Sequence, residues 1–318
     1  LHDAPLPDPP ACAFASDNAA GAHPAVIEAV LAANHGHALA YGDDDVTRAC
    51  EGNFDELFGR AVATYLTFNG TGANVMALTA LARPGDAVIC TDCAHINVDE
   101  TGAPERVVGA KLIDLAANDG KLAPEQIADQ AHAIGVAHHA QPAIVSITQS
   151  TEWGTVYSAD EVAAICDIAH RHGMRVHMDG ARIANAVAAS GGTVAALRAM
   201  TVDAGVDVIT FGGTKNGLLG GEAVVFLDPM SGARGQFVRK MVTQLPSKMR
   251  FIAAQFNALV DGDLWIDLAT HANSMAQALY QSTAGVDGLE IATPPAVNSV
   301  FPILPKLAIE TLRSWCFF

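Results

Sequence analysis

In the stretch ITFGGTKNGLLGG, residues 209–221, a single lysine follows an apolar run and is hemmed in by glycines. A lysine after a strand is usually solvated surface. Glycines at 212, 213, 217, 220 and 221 strip side chains from the neighbourhood of Lys215, which suggests that something bulky packs close to the backbone there. The lysine amine is compact, responds to desolvation and forms Schiff bases with carbonyl compounds, which arginine does not. Earlier in the chain, Asp179 ends the apolar run RVHMD. In an open parallel sheet that edge is where ligands bind, and a carboxylate there could hold a metal, cap the next helix or pair with a cationic ring nitrogen.

A third candidate is FNGTGANVMAL. Gly70 and Gly72 begin a GxGxxG pattern, but Val75 stands where the third glycine belongs, so the dinucleotide fingerprint fails. What survives is a Gly70-Thr71-Gly72 turn opening a helix, where free backbone N–H groups and the helix dipole suit an anion. A plain glycine turn is the alternative. An anion-type turn, a strand-end aspartate and a later strand-end lysine follow one another in that order. This order resembles the site layout of the large pyridoxal phosphate fold of the aspartate aminotransferase type, in which a lysine carries the cofactor.

The elements that must position these residues are legible as alternating apolar runs and helical patterns, the signature of an α/β domain with a mainly parallel sheet. AVATYLTFNG reads as a strand and GANVMALTALAR as a helix; Pro84-Gly85 turns the chain into the strand AVICTD. PAIVSIT is a further strand. Ser158 and Glu161 form a capping box for the helix ADEVAAICDIAHRH, which Gly173 ends. RVHMD and VDVITFGG continue the strand series around the helix-like ARIANAVAAS. From about residue 232 longer helical stretches take over, MRFIAAQFNALVDGDLWIDLATHANSMAQALYQ among them. The expected division is a large α/β domain over residues 1–231 with an N-terminal arm, then a linker helix and a smaller C-terminal α+β domain over residues 232–318.

The segments FASDNAAGAHPAVIEAV, YGDDDVT, NGTGANVMAL, AHINVDETGAPE, VSITQSTEWGTVY, HMDGARIANA and FGGTKNG together resemble the L-threonine aldolase group of pyridoxal phosphate enzymes, in particular its low-specificity and phenylserine aldolase branch. The likeness spans residues 13–300 in order and spacing. It implies fold type I, pyridoxal 5'-phosphate as cofactor, and retro-aldol cleavage of L-β-hydroxy-α-amino acids to glycine and an aldehyde. It implies further that Lys215 is the Schiff-base lysine, that Asp179 pairs with the pyridinium, and that His95 stacks on the ring near the substrate hydroxyl and is the candidate base. Gly70, Thr71 and Gly72 would hold the phosphate. Ser16 and Arg182 would grip the substrate carboxylate, an arginine being suited to bidentate pairing. Tyr41, Lys240 and Arg250 would reach a neighbouring subunit's site, so a homodimer or homotetramer with sites at the interface is expected. Glu152 stands where many threonine aldolases have a histidine, which bears on the base and on the β-substituent. Another lyase of this fold, an amino acid racemase, and a non-catalytic cofactor-binding relic are the competing readings.

The resemblance also implies a C-terminal domain that continues past NSVFPILP into strands with another carboxylate-binding arginine. Here PKLAIETLR is followed by SWCFF, so the small domain is expected to be incomplete, and Arg313 is not assigned that role. The formal net charge of −16 disfavours nucleic acid and anionic membranes as partners, which leaves a small-molecule amino acid substrate bound by local positive groups. No segment reads as a transmembrane helix and the first residues lack the pattern of a signal peptide. The only CxxC, Cys90 and Cys93, follows an apolar run and reads as core packing; Cys12 and the other cysteines are scattered, and no metal centre is expected. Reduced thiols and a cytoplasmic location fit best.

Overall fold

Seven strands form one sheet: β1 (Ala63–Thr67), β2 (Asp86–Thr91), β3 (Lys111–Leu115), β4 (Gln141–Thr148), β5 (Arg175–Gly180), β6 (Val208–Gly212) and β7 (Glu222–Phe226). Their order across the sheet is β1-β7-β6-β5-β4-β2-β3. The pairs β2/β3, β2/β4, β4/β5 and β5/β6 are parallel, while β7 runs antiparallel to both β6 and β1. The α/β class and fold-type-I architecture expected from the sequence are therefore present. This computed structural model describes Asp8 and residues 15–316. Cys12, Phe317 and Phe318 lie outside the described residues.

Period-two alternation explains how both faces of the sheet are buried. Val208, Val224 and Phe226 point to one side, where they meet Ala73, Met76, Ala77 and Ala80 of the helix Gly70–Leu81. Glycine and alanine keep that helix thin enough to lie close on the strands. Val176, Met178, Ile209, Phe211 and Val225 point to the other side, into the main core. There Phe211 meets Phe54 edge-on with ring centroids 5.5 Å apart, and Trp265 at 5.7 Å. Phe54 also lies 5.7 Å from Phe256. Aromatic pairs of this kind contribute roughly 0.5–1.5 kcal/mol each beyond their area. Together they tie β6 to the helices Asp45–Phe58, Arg250–Val260 and Leu264–Ser282.

The Ser158–Glu161 capping box forms as the sequence predicts: the Ser158 hydroxyl accepts from the Glu161 N–H and the Glu161 carboxylate accepts from the Ser158 N–H. The long helical stretch from Met249 does not run unbroken. It is interrupted at Asp261–Asp263, where Gly262 takes φ +61°, and resumes at Leu264. A second sheet pairs β8 (Glu290–Ile291) with β9 (Pro302–Ile303) antiparallel, followed by the helix Lys306–Trp315. Among the described residues no helix is long and apolar enough to cross a membrane. The five described cysteines are free.

Candidate active site

Gly70, His95, Glu152, Asp179 and Lys215 each lie at or shortly after the carboxyl end of a strand, and these five strands run the same way. Gly70 follows β1, His95 follows β2, Glu152 follows β4, Asp179 lies in β5, and Lys215 follows β6. Register fixes the level: Asp179 is flanked by Thr148 of β4 on one side and Thr210 of β6 on the other. The ends of β4, β5 and β6 therefore deliver Glu152, Asp179 and Lys215 to one edge of the sheet, the edge at which open α/β sheets bind ligands.

Lys215 sits half-buried on a 3₁₀ turn, Thr214–Asn216, anchored where the Asn216 amide donates to the Trp265 carbonyl at 2.9 Å. The surrounding glycines serve the chain's own packing. A Cβ on Gly212 would lie 2.3 Å from the Ala181 carbonyl oxygen, and one on Gly213 would lie 2.7 Å from that of Gly221. Gly217 and Gly221, at φ +92° and +142°, occupy backbone regions that side chains rarely adopt. The bulky object inferred from the sequence is thus, at these positions, the protein itself.

Behind the turn, buried Glu222 accepts from the Gly213 N–H at 2.7 Å. Burial pushes its carboxyl up to about 7, against the bonds from Thr214 and Gly213 and the nearby Lys215 charge. A raised folded-state value means that Glu222 favours the fold below about pH 4.5 and loses that contribution as pH rises through about 7. The loss is of order 3 kcal/mol. Glu222→Gln keeps an acceptor for Gly213 without the charge. Its urea-unfolding midpoint is expected to exceed that of the wild type at pH 8 and to converge with it at about pH 4, below the unfolded-state value; equal midpoints at both pH values would refute this.

A string of polar groups runs from Asp179 to His95. Asn74, on the second turn of the Gly70–Leu81 helix, donates one amide hydrogen to Asp179 Oδ2 at 2.7 Å and the other to Glu100 Oε1 at 2.9 Å. Glu100 Oε1 also lies 2.8 Å from His95 Nδ1. The bond to Glu100 raises the His95 pKa, with burial opposing it and the Asp179 charge adding to it. Burial likewise raises the carboxyls of Glu100 and Glu152. Glu152 Oε1 accepts from the His95 backbone N–H at 2.9 Å and the Thr148 hydroxyl at 2.8 Å, while its Oε2 is buried without a partner. Asp179 Oδ1 accepts from the Ala181 N–H at 3.0 Å.

Arg182 is partly committed. Its Nε and Nη2 donate to the two oxygens of Asp17 at 2.6 and 2.9 Å, leaving Nη1 outside the pairing, and Asn298 donates to the same carboxylate at 3.1 Å. Burial opposes the ionised form of Asp17, but the bonds and charge of Arg182, with the Asn298 bond and the Lys215 charge, together hold the carboxyl below its ordinary value. Ser16 precedes Asp17 and is exposed; its hydroxyl accepts from the Asn18 N–H at 3.2 Å. Tyr41, 50% exposed, lies under the Lys240 ammonium, 5.1 Å from the ring centre, and its N–H donates to the Ser247 carbonyl. Arg250 stacks on Phe251 and reaches the Gly36 carbonyl at 3.4 Å. The contacts of these last three residues run to one another's neighbourhood and not to Lys215, Asp179 or His95.

At the start of the Gly70–Leu81 helix, Asn69 caps the Gly72 N–H at 2.8 Å, which leaves the Gly70 and Thr71 N–H groups without intrahelical partners. Thr71, next to Gly70, borders an open cavity of about 570 Å³ that is also lined by Gly72, Val107, Met241 and Gln244. Gln244 is held there by the Phe68 N–H and lies so close to Gly72 that a Cβ would meet it at 2.2 Å. Asn74, Glu100, Asp17, Glu222 and Gln244 did not stand out in the sequence. Asn74 carried a faint signal, one helical turn beyond Gly70 on an otherwise apolar helix.

A family model described as beta-eliminating lyase matches residues 13–306. The chain is 41% identical over 308 residues to a low specificity L-threonine aldolase from a Pseudomonas strain, and 42% identical over 308 residues to one from Pseudomonas aeruginosa; each alignment covers 96% of this chain and 88% of the relative. Its fold matches a solved threonine aldolase of Leishmania major with a TM-score of 0.88 at 30% identity, covering 95% of this chain and 87% of that one. With a strand-end lysine, a strand-end aspartate and a buried carboxylate–histidine pair converging on one sheet edge, the chain belongs to the beta-eliminating lyase family.

Proposed function

We propose that this protein is a pyridoxal-phosphate-dependent aldehyde-lyase that cleaves L-β-hydroxy-α-amino acids such as threonine, allo-threonine and phenylserine to glycine and an aldehyde. The convergence of Lys215, Asp179 and His95 at one sheet edge carries this reading, in a chain 41% identical to a low specificity L-threonine aldolase.

The residues present fit the cofactor. Thr71 lines an open cavity at the helix start, where the first N–H groups have no intrahelical partners, and a Cβ at neighbouring Gly70 would meet nothing within 4 Å, which suits a phosphate. Each Asp179 oxygen takes one hydrogen bond and retains a lone pair for a cationic ring nitrogen. Lys215 would anchor the group, Gly70, Thr71 and Gly72 would hold its phosphate, Asp179 would keep its ring nitrogen protonated, and His95 and Arg182 would border the ring. When bound, the cofactor supplies the sink for the electron pair left at Cα.

The chain's own residues do the rest. Ser16 and the Nη1 of Arg182 hold the substrate carboxylate, and the Asp17 pairing fixes the guanidinium plane. His95 Nε2 takes the β-hydroxyl proton as the Cα–Cβ bond breaks and the aldehyde departs. Cα then takes up a proton in place of its bond to Cβ, and the product leaves as glycine. Glu152, with an unpartnered Oε2 beside His95, is the contact for the β-hydroxyl or its substituent. Met241, 63% exposed at the cavity, and Phe237, 69% exposed one turn back on the same helix, support a homodimer or homotetramer whose subunits meet there, with Tyr41, Lys240 and Arg250 at the boundary. A cytoplasmic location accords with the five free cysteines among the described residues.

The test is product analysis. Purified protein supplied with pyridoxal phosphate and L-threo-phenylserine is expected to release benzaldehyde and glycine in equal amounts. Pyruvate with ammonia, or inverted substrate alone, would overturn the aldolase reading in favour of elimination or racemisation.

A further inference from the structure

Glu100 has no part in the chemistry above, yet its side chain is fully buried beside His95, and its Oε2 has no hydrogen-bond partner among the described residues. An ionised carboxylate can only accept, so Oε1, which takes the Asn74 amide hydrogen, then also takes the imidazole N–H. In the neutral ring that makes Nδ1 the protonated nitrogen and leaves Nε2 bare. Asn74 can face only one way, because both of its neighbours are acceptors; its two amide hydrogens are divided between Glu100 and Asp179. Relevant atoms of His95, Glu100 and Asp179 all lie within 4.8 Å of one another.

We propose that Glu100 is a positioning residue that locks His95 in the Nδ1–H form with Nε2 toward the substrate and, through Asn74, couples the charge of that ring to Asp179. The inference rests on the aldolase reading. Three other charged groups face His95: Glu152 at its backbone N–H, Asp179 from β5, and Lys215 from the turn after β6. Asn74 is the neutral group that the covering helix contributes. A buried carboxylate bridged to a second carboxylate by one amide makes the two negative charges compete for the same positive partners. A proton gained or lost at the His95–Glu100 pair is therefore felt at Asp179.

The experiment uses cofactor-loaded protein and its Glu100→Gln and Glu100→Asp variants. Removing the carboxylate charge lowers the affinity of His95 for a proton, so the acid limb of kcat/KM in Glu100→Gln is expected to move down by about one pH unit. Turnover is expected to fall about 10- to 100-fold with little change in KM, as the ring loses its orientation. The visible band of the bound cofactor is expected to titrate at lower pH, and Glu100→Asp to restore the acid limb. In the wild type, ¹⁵N-histidine resonances of His95, assigned with a His95→Asn sample, are expected to show Nδ1 protonated throughout and Nε2 titrating. A neutral Nε2–H form, or an acid limb and band midpoint unmoved in Glu100→Gln while turnover falls, overturns the proposal and leaves Glu100 a structural prop. A wild type without any cofactor band overturns the aldolase reading itself, and the inference with it.

Discussion

Lys215→Ala protein is expected to lose turnover of L-β-hydroxy-α-amino acids by three or more orders of magnitude, about the size of effect seen when a covalent group is deleted from an active site. It is also expected to lose the visible band of bound cofactor, since the primary amine that would anchor the group is gone. The fold is expected to persist. The turn that carries Lys215 is held by the Asn216 amide on Trp265, by Glu222 on the Gly213 N–H, and by glycine packing against Ala181, none of which involves the ammonium. Deleting one half-buried side chain outside those contacts changes stability by only about 0.5 kcal/mol. Lys215→Arg is the sharper variant, because it keeps the positive charge near Asp17 and Glu222 while removing the primary amine. Turnover and band should vanish in both variants with unfolding midpoints close to the wild type. A band retained in Lys215→Ala would mean that the amine is not the anchor.

The residues that made this site readable are those whose signals are local. A capping box spans four residues, so Ser158 and Glu161 could be paired from sequence and are paired in the structure. Lys215 and Asp179 announced themselves because each closes an apolar run, and a run end is a position in the fold as well as in the chain. KLIDL and EAVVF escaped notice for physical reasons. β3 is an edge strand whose Lys111 and Asp114 face water, and β7 is a five-residue run that reverses direction to pair with β6 and β1. Two antiparallel partners for a strand embedded in a parallel series cannot be read from composition. The supporting shell was hidden by distance in sequence. Asn74 meets Asp179 across 105 positions, Asp17 meets Arg182 across 165, and Asn298 joins Asp17 across 281. Asp17 changes the expected role of Arg182 most, because the edge suited to a bidentate carboxylate is already taken by one from the same chain.

Asp179→Asn tests the electronic half of the reading and carries a second signature in stability. The aspartate accepts on both oxygens, from the Asn74 amide at 2.7 Å and from the Ala181 N–H at 3.0 Å. An asparagine offers one acceptor and one donor group to those two donors, so whichever way it turns, one N–H faces another. An unsatisfied buried donor costs about 1–3 kcal/mol. Thermal unfolding is therefore expected several degrees below the wild type. Turnover is expected to fall by about three orders of magnitude, since loss of the carboxylate removes the group that keeps a ring nitrogen cationic when electrons leave the Cα–Cβ bond. Asp179→Glu restores the charge but not the reach, and is expected to regain part of the turnover while remaining less stable. The two losses are separable. A variant that loses stability but keeps turnover would make Asp179 a bracket between β5 and the Gly70–Leu81 helix, with no electronic role. One that loses turnover while cofactor stays bound and the protein stays folded at the assay temperature would place the electronic demand of the cleavage on this carboxylate.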